Sequence, residues 1–149
     1  MRTLSLPTAA DTDGLGQALA TLAFPGAFVA LRGDLGAGKS SLARAVARGL
    51  GVTGPVPSPT FVLVNVYDGR LPLVHADWYR LADADELEQI GWDELATDHV
   101  VTLVEWAERV PEALPADRLE LTLAYDGDGR TATLHATGPR HESLEAAGG

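Results

Sequence analysis

Gly33-Asp34-Leu35-Gly36-Ala37-Gly38-Lys39-Ser40 is the stretch on which the rest of the chain is arranged. Its spacing is G-x-x-x-x-G-K-[ST], the Walker A or P-loop pattern. The flanks agree with it. Ala27-Phe28-Val29-Ala30-Leu31 is a short apolar run suited to a buried strand. Ser41 to Leu50 is rich in helix formers, and Gly51 stands where a helix would stop. Glycine lets the loop turn without a Cβ penalty and come close to a phosphate. The N–H groups of the loop and of the first helical turn favour an anion. Lys39 supplies a point charge for the β and γ phosphates, and Ser40 supplies a hydroxyl for Mg²⁺, which prefers oxygen. Lys39 is also the only lysine in a chain that otherwise uses arginine. The plainer reading is a glycine-rich turn between strand and helix with no ligand.

Composition bounds the rest. With 149 residues the chain is expected to form one domain with its own core. It has no cysteine, which excludes a disulfide framework and Cys-based metal sites. No apolar run reaches membrane-span length, and the N-terminus lacks a signal-peptide core, so the expected location is the cytoplasm. The formal net charge of −10 argues against a broad grip on nucleic acid by this chain alone.

Away from the glycine loop, residues 3–6 read as a strand, and a helix is expected from about 12 to 23, capped by Asp11 or Thr12. Its face would be Leu15, Ala18, Leu19 and Leu22, with Gly14 and Gly16 weakening it. Residues 52–60 form a proline-stiffened loop ending in Ser58-Pro59-Thr60-Phe61, placed to bring a hydroxyl near a γ-phosphate. Strands are expected over 61–67 and 71–77, joined by a turn at Asp68-Gly69. On the second, His75, Asp77 and Tyr79 would share a face. Asp77 there could orient a water or hold Mg²⁺ through water; the plainer reading pairs it with Arg80. Asp83 and Glu86 read as a capping box for a helix ending at Gly91, and Trp92 to Thr97 could add another helical turn.

Val100 to Val104 is the most strand-like run in the chain, and it ends in Glu105-Trp106. An apolar strand delivering an acid is the Walker B pattern, here with glutamate in place of the commoner aspartate. The alternative is an exposed acid just past a strand end. Trp106 could stack on a base, anchor a partner or belong to the core. Residues 118–125 and 130–137 alternate as a hairpin, and the chain from Gly138 reads as a loose tail.

Together GDLGAGKSS at 33–41, PSPTF at 57–61, HADWYRL at 75–81, ELEQIG at 86–91, VEW at 104–106 and LPADRLEL at 114–121 resemble the TsaE (YjeE) family, over roughly residues 4 to 137. The resemblance implies an ATPase of tRNA threonylcarbamoyladenosine synthesis that acts on the TsaB–TsaD pair and supports its turnover at adenosine 37. It implies ATP and Mg²⁺ as cofactors, with tRNA reached through the complex rather than by this chain alone. It assigns Leu35, Gly36, Ala37, Gly38, Lys39, Ser40 and Ser41 to the phosphates, and Ser40 and Glu105 to the metal. It makes Asp77, Thr60 and Lys39 the catalytic set and puts Trp106 and Arg130 against the nucleotide, with residues 9–12 at its edge. Ser40 departs from the usual threonine but keeps the hydroxyl.

The expected fold is α/β: a three-layer P-loop NTPase, its mixed sheet having a parallel core and antiparallel hairpins, over residues 1–137 with a flexible tail at 138–149. The rival readings are a small-molecule kinase, which would need an arginine-bearing lid, and a nucleotide-dependent binding module.

Overall fold

A computed structural model describes residues 1–34, 36–54 and 64–148. Seven strands form one sheet: β1 (Arg2–Leu6), β2 (Phe28–Gly33), β3 (Val64–Tyr67), β4 (Leu73–Asp77), β5 (Val101–Glu105), β6 (Leu119–Asp126) and β7 (Gly129–Ala136). The helices are α1 (Ala9–Leu22), α2 (Lys39–Gly49), α3 (Ala84–Gln89), α4 (Trp92–Leu95) and α5 (Glu142–Glu145). The strand order is β1-β7-β6-β2-β5-β4-β3. Strands β6, β2, β5 and β4 run parallel at the centre, and β7, β1 and β3 add antiparallel edges. The parallel core and the antiparallel flanks are those the sequence pattern predicts.

Alternation along β2 separates two cores. Val29 and Leu31 join Leu15, Leu19, Leu42 and Val46 of α1 and α2, with Leu144 and Ala147 beyond α5's start. Phe28 and Ala30 face the other way, toward Leu87, Trp92, Trp78 and Ala107. Trp78 and Trp92 meet edge-on there at 5.3 Å.

Helix α1 begins earlier than its periodicity predicts. Thr8, not Asp11 or Thr12, is the N-cap, and Asp11 is the reciprocal member of a capping box. The buried face is Thr12, Leu15, Gly16, Leu19 and Ala20, while Leu22 is exposed. Gly16 is there for contact rather than weakness. A Cβ added to it would lie 2.4 Å from Ala45 Cβ, because α1 and α2 pack closely over small residues.

Three further expectations change. The expected turn at Asp68-Gly69 is a five-residue connection over 68–72. It is drawn against the helices: Arg70 N–H donates to Leu50 O, and Arg70 Nη2 donates to Ala20 O. Tyr79 does not continue the strand face. The Asp77 carboxylate accepts the Tyr79 N–H at 2.8 Å, a local turn that ends β4 at Asp77. The stretch from Gly138 is folded onto the sheet, with His141 fully buried and Glu145 accepting the Ala136 N–H. Among the described residues no helix is long and apolar enough to cross a membrane.

Candidate functional site

The strand–loop–helix unit around Lys39 sets the site's geometry. Strand β2 ends at Gly33, and α2 starts at Lys39 with Gly38 as an N-cap that offers no side-chain cap. The first N–H groups of α2 therefore lack a side-chain acceptor, the usual condition for anion binding at a helix start. Gly36 and Gly38 have φ of 82° and 103°, a region that side-chain-bearing residues avoid. At Gly36 a Cβ would also approach the Tyr125 hydroxyl to 2.7 Å. Ala37 between them is buried, and Ser41 is exposed on the first turn of α2. Leu35 lies outside the described residues.

Beside this unit, β5 runs parallel to β2 with Leu31 opposite Glu105, and β4 runs parallel to β5 with Asp77 opposite Glu105. Three strand ends thus converge on one edge. Glu105 is buried, and its Oε1 accepts a hydrogen bond from Ser40 Oγ at 3.1 Å. Its Oε2 lies 2.7 Å from His75 Nε2, an imidazole only 1 % exposed. A hydroxyl and a carboxylate oxygen at this spacing are hard donors of the kind Mg²⁺ takes.

Lys39 is folded back on its own loop. Its ammonium donates to Gly33 O and, at 3.3 Å, to Asp34 O, and it sits 3.8 Å from the centre of the Trp106 ring. Burial pulls its pKa down, against the opposing pull of Glu105, Glu108, Asp77 and Asp34. Trp106 adopts a left-handed φ of 58°, the one such non-glycine among the described residues. That conformation turns the chain directly after Glu105 and lays the indole over the lysine. Tyr79 also packs against Trp106, at 4.9 Å, held by Arg109, whose guanidinium donates twice to Tyr79 O.

Asp77 is half-buried beside Glu105. Burial raises its pKa; the Tyr79 N–H opposes this, the Glu105 charge adds to it, and His75 and Lys39 oppose it. Its backbone partner is Tyr79, and no pairing with Arg80 is seen. Thr60 lies outside the described residues.

On the opposite flank of the loop a cavity of about 600 Å³ opens. One wall runs from Leu6, at the end of β1, to Asp13 in the first turns of α1; the second is the α2 face with Ser41, Arg44 and Arg48; the third is Asp128 with the start of β7, Gly129 and Arg130. Arg130 Nε donates to Ala37 O at 3.2 Å, and its guanidinium stacks on Tyr125 at 4.3 Å. The structure thus brings Ala9 to Thr12 and Arg130 to the glycine loop. Sequence reasoning passed over Arg44 and Arg48, although positions 41, 44 and 48 repeat at the spacing of one helical face. It also passed over the contact between His75 and Glu105, which depends on β4 lying next to β5.

Comparison with known proteins gives a consistent result. Residues 6–132 match the model of the family described as threonylcarbamoyl adenosine biosynthesis protein TsaE. A tRNA threonylcarbamoyladenosine biosynthesis protein TsaE from Bacillus subtilis is 43% identical over 136 residues, 90% of this chain and 85% of that protein. The protein of the same name from Streptomyces coelicolor is 47% identical over 129 residues, 83% of this chain and 86% of its own length. The crystal structure of YdiB from Bacillus subtilis superposes with a TM-score of 0.81 and 35% identity, covering 96% of this chain and 90% of that one.

Proposed function

Because the chain belongs to the TsaE family, we propose that it is the Mg²⁺-dependent ATPase of tRNA threonylcarbamoyladenosine synthesis, built as a three-layer P-loop NTPase. The observation that carries this reading is the convergence of Ser40 Oγ and Glu105 Oε1 at 3.1 Å at the uncapped start of α2. Those two oxygens would hold a magnesium ion, a hard cation that prefers oxygen ligands. Among the described residues no three His, Asp or Glu side chains form a metal cage by themselves, and a phosphate-bound magnesium needs none. Magnesium bound there neutralises charge on the phosphate oxygens.

The chain's own groups do the rest. Backbone N–H groups of residues 36–41 hold the phosphates. Lys39 exchanges its carbonyl partners and the Trp106 face for phosphate oxygens. The cavity between α1, α2 and the 128–130 turn takes the nucleoside, with Arg130 at the junction of nucleoside and phosphates. Asp77 sits next to the metal acid, with a pKa raised toward that of a working base, and orients the attacking water; Thr60 is the other residue for that role. The site acts with a TsaB–TsaD pair, which holds the tRNA; a net charge of −10 suits a subunit that leaves the nucleic acid to its partners.

The test is calorimetric titration with Mg·ATP, alone and with TsaB and TsaD, followed by ATPase assay of Asp77→Ala. The variant is expected to lose about 100-fold or more in turnover while ATP affinity stays within a few-fold. Equal losses in both quantities would remove Asp77 from the water-orienting role. No heat of association in any mixture would end the ATPase reading.

A further inference from the structure

We propose that His75 is a positioning residue that aims the Glu105 carboxylate at the metal, a role resting on the Mg²⁺-dependent ATPase reading above. The argument begins with strand register. His75 lies opposite Leu103 on the neighbouring parallel strand, so Glu105 is the next residue on the same face. The imidazole reaches along that face, and its far nitrogen, Nε2, meets Glu105 Oε2 at 2.7 Å. Both side chains are buried, with relative exposures of 1 % and 4 %. The last torsion of a glutamate is broad and poorly self-determined. A donor on Oε2 removes that freedom and leaves Oε1 turned toward Ser40 Oγ, 3.1 Å away. Ser40, Glu105 and His75 therefore form one line, from the helix start through the acid to the imidazole.

The second ring nitrogen carries the argument further. Among the described residues, His75 Nδ1 is buried and has no hydrogen-bond partner. A carboxylate only accepts, so Nε2 is the donor in the contact with Glu105. A histidine kept for structure alone finds partners for both nitrogens, as His141 does. His75 is satisfied only on the side that touches the acid. Partners that fix an acidic metal ligand commonly govern metal affinity about 10–100-fold.

The experiment uses Mn²⁺ as probe, titrated by electron paramagnetic resonance into the full-length protein with saturating ADP. His75→Leu removes the donor and is expected to weaken Mn²⁺ binding about 10-fold or more, with ADP affinity in EDTA unchanged. His75→Gln puts an amide N–H at the reach of Nε2 and is expected to restore Mn²⁺ affinity to within about 3-fold. Thermal melts check folding. If His75→Leu does not fold, His75→Asn takes its place, since it keeps the polarity but falls short of Oε2. Unchanged Mn²⁺ affinity in a folded donor-less variant overturns the positioning role. Equal losses in the Gln and donor-less variants also overturn it, because a purely structural histidine would behave so. If the unaltered protein binds nucleotide but no Mn²⁺, the metal-dependent reading fails first, and the role of His75 falls with it.

Discussion

Among the described residues two buried histidines each meet a carboxylate at 2.7 Å, His75 with buried Glu105 and His141 with part-exposed Asp117, and the pairs are wired differently. They lie toward opposite ends of the parallel strands: Glu105 closes β5, and His141 meets Phe28, which opens β2. His141 accepts the Phe28 N–H at Nε2, and its Nδ1 faces Asp117, so every polar atom of the ring has a use. Arg140 N–H also binds Asp117, and Phe24 packs on the ring at 5.1 Å. That network is closed, and what it does is tie residues 138–145 to the start of the central strand. The His75 network is open. One ring nitrogen has no partner among the described residues, the acid's second oxygen faces a hydroxyl at a helix start, and the loop alongside is held in conformations that favour glycine. A closed set of hydrogen bonds spends its polar groups on holding the fold, whereas an open one leaves acceptors that a ligand can use.

The sharpest way to break this comparison is Glu105→Gln. The amide keeps the volume and removes the charge from the open pair. We expect ATP turnover to fall about 100-fold or more, while the melting temperature holds or rises, since the amide keeps hydrogen-bond partners for His75 and Ser40 and avoids the cost of burying a charge. A steady-state ATPase assay beside a thermal melt checks it. A variant that melts several degrees lower but keeps its turnover would make Glu105 a structural residue like Asp117.

His141→Leu tests the closed pair from the other side. The change orphans the Phe28 N–H and leaves Asp117 without its imidazole. A loss of about 2–3 kcal/mol is expected, a drop in melting temperature of roughly 4–12 °C, with ATPase activity per folded molecule unchanged. The pair also gives a pH signature. Burial depresses the His141 pKa, although the Asp117 hydrogen bond and charge raise it and Arg140 lowers it further. The folded ring therefore stays neutral where the unfolded ring, near its ordinary value of about 6.5, gains a proton. The unfolded state then binds more protons, so stability is full above that value and is lost as pH falls through it toward the depressed folded value. Melts at pH 7.5 and 5 are expected to differ more for the unaltered protein than for His141→Leu. Equal slopes would show that His141 is not the titrating group.

Legibility followed how local each signal was. The glycine loop, its strand and its helix were readable because about 25 consecutive residues carry the whole pattern. Val101 to Glu105 was readable as a buried strand ending in an acid, and the structure places it directly beside β2. The cap of α1 was misread because its box closes with Asp11 rather than the usual glutamate or glutamine, and because Thr8 stands well ahead of Leu15, where the apolar rhythm begins. The fold of residues 138–145 was illegible for a different reason. Leu144 is a single large apolar residue among polar and small ones, His141 and Ala147 among them, and only contacts with β2, α1 and β7 bury the three. The open pair was half legible: His75 and Glu105 each stood out, but their contact depends on strand order, which no local pattern encodes.

The smallest expected effect belongs to an ion pair on the surface. Arg48 donates to Asp13 between α2 and α1, with side chains about half exposed at 53 % and 45 %. Water screens the attraction, and two flexible chains lose entropy in making it. Asp13→Asn is therefore expected to change stability by less than about 1 kcal/mol, well below the change at His141. Both residues line the cavity between α1 and α2, so the variant also separates two contributions there. Freed from Asp13, Arg48 presents its full charge to that cavity, and nucleotide affinity is expected to hold or rise slightly in a calorimetric titration. A loss of stability as large as that of His141→Leu would mean that charge pairing, not closure of buried hydrogen bonds, sets the contribution of these contacts.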